Sequence, residues 1–239
     1  MIKFEWGEHG ARVLARTCRA LVIVDVLSFS TAVDVAVSRG ALVLPSPLRN
    51  MSALAEYAAA QRAELAVGRR LVNSAQPYSL SPATLANLPR GARLVLPSPN
   101  GATLSLIAAE HGCALYAACL RNATAVAGAI GDEHVGVIAA GERWPDGSLR
   151  PALEDLLGAG ALIAALGARG HGCSPEAEAA ALTFRGALDL ARMIEGCVSG
   201  RELIEMGFPQ DVEVASQVDA SRAVPVYRDN AYVAAAPIA

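Results

Sequence analysis

The polar residues around the end of the first strongly apolar run are the first candidates for chemistry. Asp25 lies near the end of the run 20–26, and Ser28, Ser30 and Thr31 follow it closely. A carboxylate at the end of a strand can ligate Mg²⁺ or act as a base. The hydroxyl residues stand where helix N-terminal amides hold oxyanions, or where one side chain caps the helix. Buried carboxylates are rare unless they are paired or bound, so Asp25 is the stronger candidate.

A second polar group follows another apolar run. This segment reads Pro97-Ser98-Pro99-Asn100-Gly101. The prolines restrict the backbone, and Asn-Gly permits a tight turn. The segment offers a hydroxyl, an amide and backbone N–H groups at a helix start; the alternative is a plain turn. Its spacing and its lack of lysine exclude a Walker loop.

Adjacent carboxylates and paired arginines complete the candidates. Glu154 and Asp155 open a predicted helix, where the helix dipole alone favours them. They also suit Mg²⁺, which takes one or two carboxylates together with water and phosphate oxygens. Arg69 and Arg70 follow a predicted strand and form either a solvated turn or a site for a doubly charged anion. Lys3 is the only lysine among 20 basic residues, and guanidinium groups can bind oxyanions bidentately.

A regular alternation of short apolar runs and helical patterns must position these residues. Strands are predicted over 20–26, 42–44, 64–67, 93–96, 114–117 and 135–139, and helices over 30–39, 53–61, 102–111, 122–130 and 153–166. The alternation is typical of βαβ units and predicts a three-layer α/β/α fold with a largely parallel or mixed sheet. Ligands bind at the carboxyl ends of strands in such sheets.

The C-terminal third is predicted to be mostly helical. The pattern covers 174–217, with a capping box over 199–202, and a last strand is predicted over 224–227. Ser81-Pro82 fits a helix start with proline at the first helical position. We expect one α/β unit over residues 1–239, either a single body or two closely packed lobes with the cleft between them.

Composition narrows the class of protein. The 239 residues are 53% hydrophobic and 18% charged, which predicts a folded chain with a large core. A net charge of −3 argues against nucleic acid as the partner. Five cysteines without a C-x-x-C spacing, a charged N-terminus and the short apolar stretch 156–168 predict a cytoplasmic protein without a membrane partner. Low charge and apolar composition favour a homo-oligomer, such as a homodimer.

In order along the chain, these segments resemble the 2-phosphosulfolactate phosphatase family. The segments that carry the resemblance are 24–27, 30–31, 98–102, 121–123, 140–141, 154–155, 159–160, 199–203, 207–208 and 211–212. The resemblance covers nearly the whole chain. It implies an α/β fold and Mg²⁺-dependent hydrolysis of (R)-2-phospho-3-sulfolactate to 3-sulfolactate and phosphate, a step of coenzyme M biosynthesis.

The chain departs from the family pattern at its polar segments. Ser28 and Phe29 stand where the family motif D-V-L-R-A-(T/S)-T has Arg-Ala, and Ala102 replaces the last threonine of T-T-N-G-T. The family's G-E-R corresponds to 68–70, where an arginine replaces the acid, and its G-F-D-x-G-N-S-P is reduced to 77–82. One arginine is lost and another gained. The chain is therefore expected to be a divergent member with a redrawn anion pocket.

The residues and the resemblance together suggest roles for the site. The expected catalytic residues are Asp25, Ser30, Thr31 and Asn100. The expected substrate-binding residues are Ser28, Arg69, Arg70, Ser98, Gly101, Arg121 and Asn122, and the expected Mg²⁺ ligands are Asp25, Glu154 and Asp155. Either water or a side chain attacks phosphorus, and Asp25 is a candidate nucleophile only if it does not ligate the metal. The alternative function is a regulatory or binding protein that holds anions on the same fold without hydrolysis.

Overall fold

The computed structural model describes residues 1–47, 50–131 and 134–235. Its strands are β1 (Ile2–Trp6), β2 (Ala20–Val24), β3 (Leu42–Ser46), β4 (Glu64–Leu65), β5 (Arg93–Pro97), β6 (Ala114–Ala118), β7 (Val135–Ala139), β8 (Glu142–Arg143), β9 (Leu149–Arg150), β10 (Pro225–Arg228) and β11 (Ala231–Ala234). Its helices are α1 (Gly7–Ala15), α2 (Phe29–Ser38), α3 (Met51–Ala60), α4 (Pro82–Leu85), α5 (Gly101–Ala109), α6 (Ala123–Ala129), α7 (Leu153–Ala168), α8 (Pro175–Arg185), α9 (Leu190–Gly196), α10 (Val198–Glu205) and α11 (Pro209–Ala215). Short 3₁₀ turns cover Arg69–Leu71 and Leu120–Asn122.

The strands form one nine-stranded mixed sheet and a separate two-stranded hairpin, β8-β9. The order of the large sheet is β1-β7-β2-β6-β10-β11-β3-β5-β4. The first four strands in this order are parallel, and so are the last three. The antiparallel pair β10-β11 joins the two groups. Helices cover both faces, which confirms the predicted three-layer α/β/α fold with a mixed sheet.

Strand β2 shows why its apolar sequence predicts a central strand. Successive side chains alternate between the faces of a sheet. Val22 and Val24 pack in the cluster that contains α7 residues, whereas Leu21 and Ile23 pack in the cluster of α2 and α5 residues. All five residues of β2 are buried. A strand with helices on both faces needs this continuous apolar run.

The first strand and helix were not predicted. Ile2 and Phe4 are buried, while Lys3 and Glu5 keep greater exposure, so β1 has a half-buried, alternating pattern. The strand lies at the sheet edge and pairs with β7 alone within the nine-stranded sheet. The position of β1 at the sheet edge explains how the strand tolerates charged residues.

The predicted capping box over 199–202 is wrong. Helix α10 begins at Val198, so Ser199 lies inside its first turn, and the Sγ of Cys197 accepts a hydrogen bond from the amide of Gly200 at 3.3 Å. The helix also passes close to the end of α9. A Cβ on Gly200 would lie 1.9 Å from the carbonyl oxygen of Ile194.

The last features of the fold concern membrane-length helices and cysteine pairing. No helix among the described residues is long and apolar enough to cross a membrane. The five cysteines all lie in the described ranges and are free thiols.

Candidate active site

Two of the predicted polar segments meet at Asp25, just after β2. The Oδ1 of Asp25 accepts the amide of Phe29 at 3.1 Å, and Oδ2 accepts the amide of Gly101 at 2.9 Å. A Cβ at position 101 would lie 2.3 Å from the ring of Phe29 and 2.8 Å from Asp25 Oδ2. Glycine is therefore required by the close approach of the start of α5 to the carboxylate.

A cavity of about 160 Å³ opens beside Asp25. It lies between the segments that follow β2, β5 and β7 and helix α10. Its lining consists of Asp25, Leu27, Ser28, Arg69, Leu80, Ser98, Pro99, Asn100, Glu142, Ser199, Glu202, Leu203 and Met206. Five of the residues predicted for the site therefore share one cavity: Asp25, Ser28, Arg69, Ser98 and Asn100.

Arg69 brings positive charge into this cavity. Its NH2 group donates to Ser28 Oγ at 2.6 Å, and its Nε donates to Asp211 Oδ2 at 2.8 Å. The guanidinium carbon lies 5.8 Å from the centroid of the Phe208 ring, within the range of a cation–π contact. The hydroxyl of Ser81 donates to the other oxygen of Asp211. Among the described residues, Arg69 is the one arginine that lines the cavity.

Four carboxyl groups lie close enough to affect one another's charge. The pKa of Asp25 is raised to about 6, chiefly by burial and to a smaller extent by the charge of Glu154, against backbone hydrogen bonds that lower it. Burial, followed by the charge of Asp25, raises the pKa of Glu142 to about 7, although the Asn100 hydrogen bond lowers it. Burial, followed by the charges of Asp25 and Glu154, raises the pKa of Asp155. Such a group favours a bound cation or shared protons.

The carboxylates of the site could bind Mg²⁺ only if other oxygen ligands, such as water or phosphate, completed its coordination. No set of three or more His, Cys, Asp or Glu side chains in the described ranges is arranged to hold a metal ion by itself. Asp25 accepts one backbone amide on each oxygen, which leaves further lone pairs on both. Mg²⁺ sites commonly use one or two carboxylates, with water and substrate phosphate supplying the rest. The residues present fit that kind of site.

Ser30 and Thr31 lie behind the cavity rather than in its lining. Ser30 Oγ donates to the carbonyl of Ile23 and accepts the amide of Asp25, both at 3.0 Å. Thr31 Oγ1 donates to the carbonyl of Val26 at 2.7 Å. Both hydroxyls are fully buried and hold the β2–α2 turn. Neither side chain contacts the cavity in which phosphate was expected to bind.

Asp155 has a similar structural position. Its Oδ1 accepts the amide of Val26 at 2.7 Å, and its Oδ2 accepts the amide of Gly141 at 2.8 Å. It thereby joins the ends of β2 and β7. The Gly101 amide, which was expected to hold phosphate, is likewise bonded to Asp25.

The remaining predicted substrate residues are not brought to the cavity. Arg121 donates through Nε to the buried Asp34 at 2.9 Å. Asn122 bonds the amide of Cys119 and the carbonyl of Ala223. Arg70 is exposed in the 3₁₀ turn and lies outside the cavity lining. The family resemblance suggested Arg121 and Asn122, and a position after a predicted strand suggested Arg70. The first two side chains bond elsewhere, and the third is exposed.

Sequence reasoning missed Glu142 and Asp211 as site residues. Glu142 follows Gly141 directly after β7, so the strand-end rule that identified Asp25 could have found it. Asp211 lies in a segment that carries the family resemblance, but nothing local indicates its pairing with Arg69, which is 142 residues away in the chain.

Glu142 and Asn100 also separate the site from a neighbouring space. Asn100 Nδ2 donates to Glu142 Oε2 at 2.9 Å. Both residues line a second cavity of about 430 Å³ formed mainly by α1 and the β8-β9 hairpin. Glu142 is thus held at the boundary of two cavities.

Comparison of the sequence with known proteins identifies a family whose members match most of the chain. The sequence model of a family described as 2-phosphosulpholactate phosphatase matches residues 11–230. A protein of Pseudothermotoga lettingae named "Probable 2-phosphosulfolactate phosphatase" is 28% identical over 222 residues, 90% of this chain and 92% of its own length. A protein of Deinococcus radiodurans with the same name is 30% identical over 216 residues, 85% of each chain.

Proposed function

The chain belongs to the 2-phosphosulfolactate phosphatase family, and we propose that it hydrolyses the phosphate ester of (R)-2-phospho-3-sulfolactate with Mg²⁺. Family membership makes it a phosphoric monoester hydrolase. The observation that carries the proposed reaction is the cavity that joins Asp25, Glu142 and Arg69. It combines metal-ligand oxygens, a proton donor and a cation in a small space.

Arg69 is the group proposed to bind the anionic substrate. The substrate carries a phosphate, a sulfonate and a carboxylate, and guanidinium can bind any of these oxyanions through paired N–H groups. Ser28 and Ser98 add hydroxyl groups to the same cavity. The family's arginine is replaced at position 28, so Arg69 supplies positive charge from a different segment.

Asp25 and Glu154 are the residues proposed to hold Mg²⁺. Both are buried. Glu154 does not line the cavity, but its negative charge adds to burial, the larger cause, in raising the pKa of Asp25. When bound, Mg²⁺ would neutralise phosphate oxygens and orient them for displacement. A counter-charge of this kind is needed because a phosphate dianion is repelled by the carboxylates.

Glu142 is proposed to protonate the ester oxygen that leaves phosphorus. It lines the cavity and is oriented by Asn100. Its pKa of about 7 means that a substantial fraction is protonated near neutral pH. A general acid is most effective when its pKa lies near the working pH.

The test is phosphate release from a panel of phosphorylated hydroxy acids, including 2-phosphosulfolactate, with Mg²⁺ and with EDTA. Metal-dependent turnover of phosphosulfolactate, abolished in Asp25→Asn and retained in Asp34→Asn, supports the proposal. Turnover of another ester alone retains the chemistry and rejects this substrate. Anion binding without turnover of any ester supports the alternative, a non-catalytic binding or regulatory protein.

The biological setting is proposed with the reaction. A cytoplasmic homodimer acting in coenzyme M biosynthesis remains our prediction. Light scattering of the purified protein tests the dimer, and loss of coenzyme M on deletion of the gene tests the pathway.

A further inference from the structure

We propose that Asp211, supported by Ser81, is a positioning residue that presents the Arg69 guanidinium to the anionic substrate. This inference rests on one part of the proposed function, namely that the substrate is an anionic phosphate ester. It extends the site from the sheet to the C-terminal helical third, where α11 carries Asp211 in its first turn. Asp211 is not expected to contact the substrate, because it does not line the cavity.

The hydrogen bonds leave part of the guanidinium available. An arginine has five N–H donors in a rigid planar fork. Nε is used by Asp211 and one NH2 donor by Ser28. No further hydrogen bond from Arg69 to a described residue is present, so three donors remain for a ligand. Fixing the Nε edge determines the plane in which they lie.

The cavity's own charges explain why Arg69 needs such a restraint. Asp25, Glu142 and Glu202 line the same space and would attract a mobile guanidinium. An arginine paired with them would occupy the position of the metal and phosphate. Asp211 is 1% exposed and holds Nε of Arg69 at 2.8 Å. This buried ion pair keeps the guanidinium from moving to the carboxylates of the cavity.

Ser81 holds the Asp211 carboxylate, and Phe208 packs against the Arg69 guanidinium. The Ser81 hydroxyl donates to Asp211 Oδ1, which leaves Oδ2 for the arginine. The Phe208 ring lies below the guanidinium at 5.8 Å. Ser81 precedes α4, and α4 contacts α11, so the two segments that hold the carboxylate are themselves packed together.

The chain offers a closely matched control in Asp34 and Arg121. Their Nε–Oδ2 distance is 2.9 Å, and the side-chain exposures are 0% and 14%, against 1% and 18% for Asp211 and Arg69. Neither Asp34 nor Arg121 lines the cavity. A purely structural role predicts that both pairs affect stability alike.

The experiment compares Asp211→Asn and Asp34→Asn, each alone and the former also with Arg69→Ala. We expect Asp211→Asn to lower kcat/KM by about 10- to 100-fold, mainly through KM, because a misplaced binding group weakens substrate orientation. Asp34→Asn should change kcat/KM less than twofold, whatever its effect on Tm. Once Arg69 is removed, Asp211→Asn should cause no further loss, since the two act as one unit.

Folded Asp211→Asn with unchanged kcat/KM overturns the proposal, as does an equal loss with and without Arg69. If Asp211→Asn does not fold, Ser81→Ala replaces it. This variant should raise KM severalfold when Arg69 is intact and should have no effect on KM in the Arg69→Ala background. If the wild-type protein hydrolyses none of the esters, the proposed function fails separately. The same variants are then compared by calorimetric binding of inorganic phosphate. A loss of affinity in Asp211→Asn that depends on Arg69 supports the positioning role, and its absence rejects it.

Discussion

Glu142→Gln should make the protein more stable at alkaline pH and leave its stability unchanged in acid. The Glu142 pKa is raised from its ordinary value of 4.5 to about 7, first by burial and then by the charge of Asp25. The folded state therefore binds more protons than the unfolded state between these values. The stability contributed by Glu142 is therefore fully present below about pH 4.5 and is lost as the pH rises through about 7.

The size of the effect follows from the same two values. The difference between these two pKa values, at about 1.4 kcal/mol for each pH unit, sets an upper limit of about 3–4 kcal/mol. Glu142 keeps some exposure, and water screens part of this cost, so we expect about 1–2 kcal/mol at pH 8.5. For a chain of this length, that corresponds to a Tm increase of about 2–8 °C. Glutamine retains an oxygen to accept the Asn100 amide, so the substitution removes mainly the charge.

Thermal unfolding of the wild type, Glu142→Gln and Glu195→Gln between pH 4.5 and 9, in EDTA, measures the effect. Glu195 is an exposed glutamate of α9 and controls for removal of a surface charge. The stability difference between Glu142→Gln and the wild type should grow from about pH 4.5 to about pH 7 and then level off. A difference that is independent of pH, or a variant less stable than the wild type at pH 8.5, would refute the reasoning.

Three other predictions follow from the site. Asp25→Asn should reduce turnover at least about 100-fold while the protein stays folded, measured by kinetics and circular dichroism, because it removes a proposed metal ligand beside phosphate. Gly101→Ala should lower stability by about 1–3 kcal/mol in denaturant titrations, because the added methyl group meets Phe29; unchanged stability would contradict the packing. Mg²⁺ at about 100 times its Kd should stabilise the wild type by about 2.7 kcal/mol at pH 8 in thermal scans, and should not stabilise Asp25→Asn.

The sequence predicted the elements that repeat a clear pattern. Strand β7 has the predicted bounds, and β2 was recognised because both of its faces are apolar. Strand β11 was missed, although Asp229 and Asn230 both have positive φ, as a tight two-residue hairpin turn requires. Its place in the sheet was beyond prediction, because pairing with β3 depends on contacts across nearly the whole chain.

The site was predictable as far as the strand-end rule extends. That rule placed Asp25 and Asn100 correctly beside one cavity. It could not distinguish them from Ser30, which also follows β2 but turns back to the carbonyl of Ile23. Side-chain direction depends on the turn's backbone geometry, and residue types alone do not determine it.

The buried hydroxyl and carboxyl groups that fail to reach the cavity are nevertheless what makes the cavity possible. Asp155 satisfies the amides of Val26 and Gly141, and Ser30 satisfies the amide of Asp25. An unsatisfied buried amide costs about 1–3 kcal/mol, so loss of either side chain would loosen the strand ends that carry Asp25 and Glu142. Substitutions at Asp155 and Ser30 should therefore reduce stability first and turnover as a consequence. Substitution of Arg69, which retains free donors and partial exposure, should reduce turnover directly, in addition to the stability lost when Asp211 is left without its ion-pair partner.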